Sequence, residues 1–201
     1  MLEGSLQVLD CEISDNVAGG GGGGIVVRGS ATIARTVVAR NQSTGDGGGI
    51  AIASGDSKVL VIDSSVVENT SSMGGGIANY GRDVEIVRST ISGNSATSSS
   101  PTSVFRGERG AIFGLDARII DSTIEGNTAV RGGGVFGSRL TITGTTISDN
   151  AAESGGGVWI NGGTIDQATI GGNTAALGGG VVVQGPTVVR RSTLTLNEVT
   201  G

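Results

Sequence analysis

The chain has 201 residues, enough for one domain with a sizeable core, yet aromatics make up only 2%, so that core is not built on Phe, Tyr and Trp. A net charge of −5 with no basic cluster argues against nucleic acid as a partner. No His is present, which removes the commonest general base and metal ligand, and the single Cys11 excludes an internal disulfide framework. The 39 Gly would suit a low-complexity chain, but 36% hydrophobic residues and a modest charge argue for order. No apolar run reaches the roughly 18 residues of a membrane span. The start, "MLEGSLQVLD", lacks the charged head and apolar stretch of a signal peptide.

A repeat begins at once. Val8, Ile13 and Asn16 are followed by a glycine run that ends at Ile25. The same order returns as Ile33, Val38, Asn41 and Ile50, then as Val61, Val66, Asn69 and Ile77. The fourth unit, Ile86, Ile91 and Asn94, meets the Ser-rich "SATSSSPTSVFRGERG" (95–110), which delays its next branched residue to Ile112. Regularity resumes with Ile119, Ile124, Asn127 and Val135, then Ile142, Ile147, Asn150 and Val158, then Ile165, Ile170, Asn173 and Val181. The last unit, Val189, Leu194 and Asn197, stops before its glycines. The Asn spacings are 25, 28, 25, 33, 23, 23 and 24 residues.

β-Branched residues at these places favour strands, and three glycines before the third segment would break a helix. Each unit therefore reads as three short strands and three bends, one coil of a parallel β-helix whose strands pair with the neighbouring coil at ~4.8 Å. A leucine-rich repeat has a similar spacing. It is disfavoured because the position five before Asn holds Cys11, Thr36, Ser64, Ser89, Ser122, Thr145, Ala168 and Ser192, never Leu, and because a Gly-rich strand follows where a helix is needed. The expected architecture is all-β, a solenoid of about eight coils of three strands. It forms one domain over 1–201, with 95–110 as a loop insertion.

Equivalent residues of stacked coils form columns. Asn16, Asn41, Asn69, Asn94, Asn127, Asn150, Asn173 and Asn197 read as an internal amide ladder at a bend, where Asn tolerates the left-handed conformation. The glycine triplets allow a tight turn into the third strand. "GDGGGI" at 45 is similar to calcium-binding glycine repeats, but Asp46 has no counterpart in other coils, so no metal is expected. Six residues before Asn, the run Asp10, Arg35, Asp63, Arg88, Asp121 alternates in sign and would favour the in-register stack. Right after the glycines stand Phe113, Phe136 and Trp159 in consecutive coils. If Val135 and Val158 point inward, these rings point outward, either as a platform for sugar rings or as a covered packing row; with the parity reversed, the rings stack inside. Thr90, Thr123, Thr146, Thr169 and Thr193 form an outward column similar to the hydroxyl arrays of ice-binding β-helices, interrupted beside it by Glu125 and Gly171. The 95–110 loop, with Arg106, Glu108 and Arg109, is a second candidate for function, since long loops on rigid scaffolds often carry it.

The pairing of an apolar-x-x-Asn segment with a Gly-Gly-x-Ile/Val segment, as in "TIEGNTAVRGGGV" and "TISDNAAESGGGV", resembles the repeats of chlamydial-type polymorphic outer-membrane proteins. It covers nearly the whole chain. Where those repeats more often place Phe three before Asn, this chain has Ile, Val or Leu. The resemblance implies a right-handed β-helix of the pectin-lyase-like type, in a passenger segment of a secreted or surface-anchored bacterial protein, often adhesive. Polysaccharide lyases of that fold use an Arg or Lys base with Asp-bound calcium, and hydrolases use clustered Asp. This chain has one Lys, Lys58, and its acids are scattered singly, so no catalytic residue or cofactor is assigned. The expectation is a structural or adhesive segment at the cell surface or outside the cell, a fragment of a longer chain. Its partner would be a polysaccharide or a host or cell-surface protein, and its open ends allow end-to-end self-association. The alternative is a carbohydrate-active β-helix that binds or cleaves polysaccharide.

Overall fold

The structure is a computed structural model that describes residues 4–53, 55–96 and 110–200. Every regular element in these residues is a β-strand, and every strand pairing is parallel, each strand lying beside its counterpart one coil away. The strands form three sheets, one of 12 strands and two of 8. Corresponding apolar residues stack in register: Val8 on Ile33, Ile33 on Val61, Val61 on Ile86, and so on to Ile165 on Val189.

The early coils carry four strands rather than three. The second coil, for example, has Ser30–Ala34, Val37–Ala39, Gln42–Ser43 and Ile50–Ile52. The unexpected strand is the two-residue piece just after Asn. Its inward position carries small residues, such as Ser43, Ser71, Ala96 and Ala175, all buried, so no large apolar side chain announces it. The strand after the glycines and the first strand of the following coil belong to one sheet, and from Val135–Thr143 onward they fuse into single strands of nine or ten residues. That fusion returns the strand count of a coil to three.

The core is a tube filled by the stacked branched residues. Ile33, Val61, Ile86, Ile119, Ile142 and Ile165 are fully buried, as are Val38, Val66, Ile91, Ile124, Ile147 and Ile170 from the second segment. Each burial is worth roughly 1.5–3 kcal/mol. Branched side chains suit this site because their fixed χ1 lets identical neighbours nest along the column.

Three corners close each coil, and each uses a left-handed residue. One corner is the column six before Asn: Asp10, Arg35, Asp63, Arg88, Asp121 and Arg191 have φ between 44° and 53°. The next is the residue just before Asn, for example Arg40 (φ 53°), Glu68 (56°) and Asp149 (55°). The left-handed conformation thus falls on the neighbour of Asn and not, as the sequence suggested, on Asn itself. The third corner is the glycine triplet, whose members serve different ends. In 132–134, Gly132 has φ 60°. At Gly133 a Cβ would lie 2.4 Å from the carbonyl oxygen of Gly156, so the next coil leaves no room for a side chain.

The Asn column joins the coils from inside. Each Nδ2–H donates to the Oδ1 of the Asn in the next coil, at 2.8 Å from Asn16 to Asn41 and 2.9 Å from Asn127 to Asn150. That Oδ1 also accepts the backbone N–H of the preceding Asn, at 3.0 Å for Asn127 on Asn150. The remaining Nδ2–H of Asn127 donates to the carbonyl of Ile91, one coil back, at 2.9 Å. A parallel hydroxyl ladder runs five residues earlier: the backbone N–H of Ser64 donates to Ser89 Oγ at 3.2 Å, and Ser89 Oγ–H donates to the carbonyl of Val87 at 2.8 Å. Asn127→Ala would leave the Asn94 backbone N–H without its acceptor in a dry interior and remove three further hydrogen bonds, to Asn94 Nδ2, the Ile91 carbonyl and Asn150 Oδ1. The expected cost is about 3–5 kcal/mol by denaturant unfolding, given roughly 1–3 kcal/mol per orphaned group. A loss below about 1 kcal/mol would mean the ladder is dispensable.

Candidate functional site

The outer surface of the 12-stranded sheet is where the structure gathers distinctive side chains. Strand alternation puts Val135 and Val158 into the tube, fully buried, so Phe136 and Trp159 leave it on the other face. Phe113, Phe136 and Trp159 lie in register one coil apart and join Ala78 and Tyr80 in an apolar cluster separate from the tube core. Phe136 and Trp159 stack at 4.3 Å with 12° between planes. Phe113 and Phe136 are 6.1 Å apart, and Tyr80 meets Phe113 edge-on at 5.2 Å. Such pairs add about 0.5–1.5 kcal/mol each beyond burial. Phe113 and Phe136 are only 3% and 6% exposed, so a ligand reaching this row would meet Trp159, the partly exposed ring at its end. Tyr80 was missed in the sequence because it falls two residues beyond the column. The same alternation, carried one step along Ile77–Asn79, would have found it. Its hydroxyl donates to Asp46 Oδ2 at 2.8 Å, which gives the unrepeated Asp46 a packing role.

The same sheet also bears an open groove of about 470 Å³, lined by Ser30, Thr32, Lys58, Leu60, Asp83 and Glu85 among others. A smaller depression of about 280 Å³ adjoins it and shares Lys58 and Asp83, adding Asp56 and Arg82. Lys58 and Asp83 are cross-strand partners, and Glu85 is in turn paired with Arg118 at 3.0 Å. Ser57, at the edge of the depression, is fully buried, and its hydroxyl has no hydrogen-bond partner among the described residues. The sequence singled out Lys58 only as the lone lysine. Its proximity to Asp83 follows from register, which spacing alone does not give. Arg106, Glu108 and Arg109, the loop candidates, lie outside the described residues.

Elsewhere, charged residues pair between coils. Arg35 holds Asp10 at 2.6 Å, Arg88 holds Asp63 at 2.8 Å and Arg40 holds Asp15 at 2.8 Å, each through two parallel hydrogen bonds. Arg139 binds Asp116 in the same way, and Asp166 receives both Arg191 and, at 3.1 Å, Arg190. The alternating column therefore resolves into separate couples, Asp10 with Arg35 and Asp63 with Arg88. The Asp15–Arg40 couple lies in the corner just before Asn, a column the sequence reading did not single out although Asp15, Arg40 and Glu68 alternate in sign there too. Among the described residues, no three acids or cysteines converge as a metal site would require. The Thr column faces outward in register, Thr90 beside Thr123 beside Thr146 beside Thr169 beside Thr193.

A family model described as a right-handed β-helix region matches residues 2–175. No curated protein and no solved structure matches the chain.

Two outcomes follow from this surface. The guanidinium hydrogen bonds hold the carboxyls of Asp10, Asp15, Asp63 and Asp166 below the usual carboxylate range. Because the folded values are the lower ones, the unfolded chain takes up protons first, so this stability is present above about pH 4 and is lost as pH falls through the folded values. The melting temperature should be level from about pH 7 to 5 and drop below about pH 4. A rise on acidification would contradict the pairing. Trp159, packed on Phe136, should emit to the blue of free Trp and shift red in Phe136→Ala. An emission unchanged by that substitution would contradict the stack.

Proposed function

The chain belongs to the right-handed β-helix family, and on that premise we propose that it is a structural segment of a secreted or cell-surface protein, a rod that presents its outer faces to a partner. The observation that carries this reading is where the repeated residues are spent. The Asn and Ser/Thr columns hydrogen-bond to one another, the glycines admit the neighbouring coil, and the corner acids hold the corner arginines. What recurs in the sequence is thus devoted to keeping coils in register, and what varies is outside. The likeness of the repeat to the chlamydial-type passenger repeats supports a surface location and an adhesive role. Polysaccharides and cell-surface proteins are the partners a long, mostly polar rod suits.

A second reading, a carbohydrate-active β-helix, is favoured by one observation. The open groove on the aromatic-bearing sheet places the single lysine, Lys58, in register with Asp83. A lysine and a carboxylate side by side in an open groove on that sheet fit the charged and hydroxyl groups of a polysaccharide chain.

One experiment separates the two. The chain is titrated with acidic and neutral polysaccharides while Trp159 emission is followed, and each mixture is then assayed for new reducing or unsaturated ends. The structural reading expects no new ends with any polysaccharide, whether or not the emission moves. Release of ends that disappears in Lys58→Ala would replace it with the carbohydrate-active reading.

A further inference from the structure

We propose that Asn161–Gly162 is a self-modification site, at which the Gly162 amide nitrogen closes on the Asn161 side chain and converts it to a carboxylate beside Trp159. The sequence holds an Asn-Gly step only here. It lies in Val158–Asp166, the middle one of the fused strands, with Val135–Thr143 on one side and Val181–Arg190 on the other. Asn161 is therefore flanked on both sides, by Ser138 and by Gly185, and its exposure belongs to the outer face of the sheet.

Two observations set Asn161 apart from the other asparagines. The first is its amide. The ladder asparagines hold their side-chain N–H groups in hydrogen bonds between coils. Asn79 donates to the carbonyl of Asp116 at 2.8 Å and accepts the N–H of Gly81 at 2.6 Å. The Asn161 carboxamide is exposed and makes no hydrogen bond among the described residues. The second is the backbone. Asn161 pairs with Ser138 and Gly185, and Gly163 with Leu140 and Thr187, while Gly162 has no register partner in either neighbouring strand. The register with Val181–Arg190 shifts between Ile160 and Asn161, and Gln184 is passed over. Gly162 and Gly163 have φ of 96° and 138°, a region open to glycine. A regular ladder holds each amide nitrogen away from the preceding side chain; this bulge of two glycines frees Gly162 to turn toward Asn161.

The reaction needs only this chain and water. The Gly162 nitrogen gives its proton to solvent base and bonds to Asn161 Cγ. The Cγ–Nδ2 bond breaks, and Nδ2 leaves as ammonia, carrying away a solvent proton. The product is a five-membered imide. Water then opens the imide at one of two bonds. Cleavage between Cγ and the Gly162 nitrogen gives aspartate, and cleavage between the Asn161 main-chain carbonyl carbon and that nitrogen gives isoaspartate. Either product is a carboxylate. Positions 159 and 161 share one face of the strand, so the new charge stands beside the partly exposed Trp159 ring. Asp46–Gly47 could cyclise by the same attack, with water leaving in place of ammonia. There the Gly47 N–H donates to the carbonyl of Met73 at 2.8 Å, and the Tyr80 hydroxyl holds Asp46 Oδ2 at 2.8 Å, so that step is clamped.

The test is an ageing series on the unmodified chain. Folded protein and the same protein unfolded in urea are held in mildly alkaline buffer, and samples taken over time are digested and read by mass spectrometry. The peptide containing residue 161 should gain the mass that exchange of NH2 for OH brings, as a mixture of aspartate and isoaspartate forms. In the folded chain its rate should lie within about tenfold of the unfolded one, because no ladder has to open first. A greater lag would show that the fold protects Asn161 and would overturn the proposal. Asp46–Gly47 supplies the internal control: isoaspartate should form there in urea and lag by more than tenfold in the folded chain. Equal rates at that step would mean that the hydrogen bonds do not govern the chemistry, which also overturns the argument. Asn161→Asp tests the placement of the charge. Quenching of Trp159 emission by iodide should fall and quenching by caesium should rise. Quenching by both ions unchanged from the parent would overturn the claim that the carboxylate stands beside the ring.

Discussion

The structure depends on a single device, the buried asparagine that hydrogen-bonds to its own copy one coil away. A parallel β-helix must turn its backbone sharply inside a dry tube, and every turn leaves amide groups that cannot reach a strand ladder. The Asn side chain meets this need because it carries two donors and a strong acceptor on one short arm. One Asn binds the side chain and N–H of its neighbours along the axis and also the carbonyl of the preceding coil. The ladder is also self-registering: a coil that slipped by one residue would replace the amide with a neighbour such as Arg40, Glu68, Gly126 or Thr128, which cannot continue the amide chain.

The corners show what this costs. Twelve non-glycine residues among those described have positive φ, and most are Asp or Arg. A left-handed conformation costs of order 1 kcal/mol or more at each such residue. Its placement one residue before the buried Asn or hydroxyl is what aims that polar side chain inward. Several of these corners then gain an ion pair to the coil above or below, which offsets part of the strain at the surface. The glycine corner uses a different solution, since there the neighbouring backbone lies where a side chain would stand.

With the interior so regular, individuality among the described residues gathers on the outer face of the large sheet. The aromatic row and the groove share that sheet because its two arms are separate in the early coils and fuse from Val135–Thr143 onward. Rings accumulate around the fusion, charged residues along the open arm.

The sequence by itself determined the solenoid, its coils and its inward columns. Each of these is written as a period, and repetition makes a short-range pattern long-range: whatever is equivalent in sequence is stacked in space. Asn127 and Val135 could be placed without any structure for that reason. The two-residue strand after Asn escaped because its inward residues, such as Ser43 and Ala96, are small and carry no hydrophobic signal. The left-handed residues escaped because Arg35 and Glu68 are not residues that advertise positive φ. Only the tertiary structure decided that Phe136 and Trp159 stack face to face, that Tyr80 joins them, and that Lys58 faces Asp83 across two strands. These contacts depend on how far the sheet twists and where its two arms meet, quantities set by all the coils together and by none of them alone.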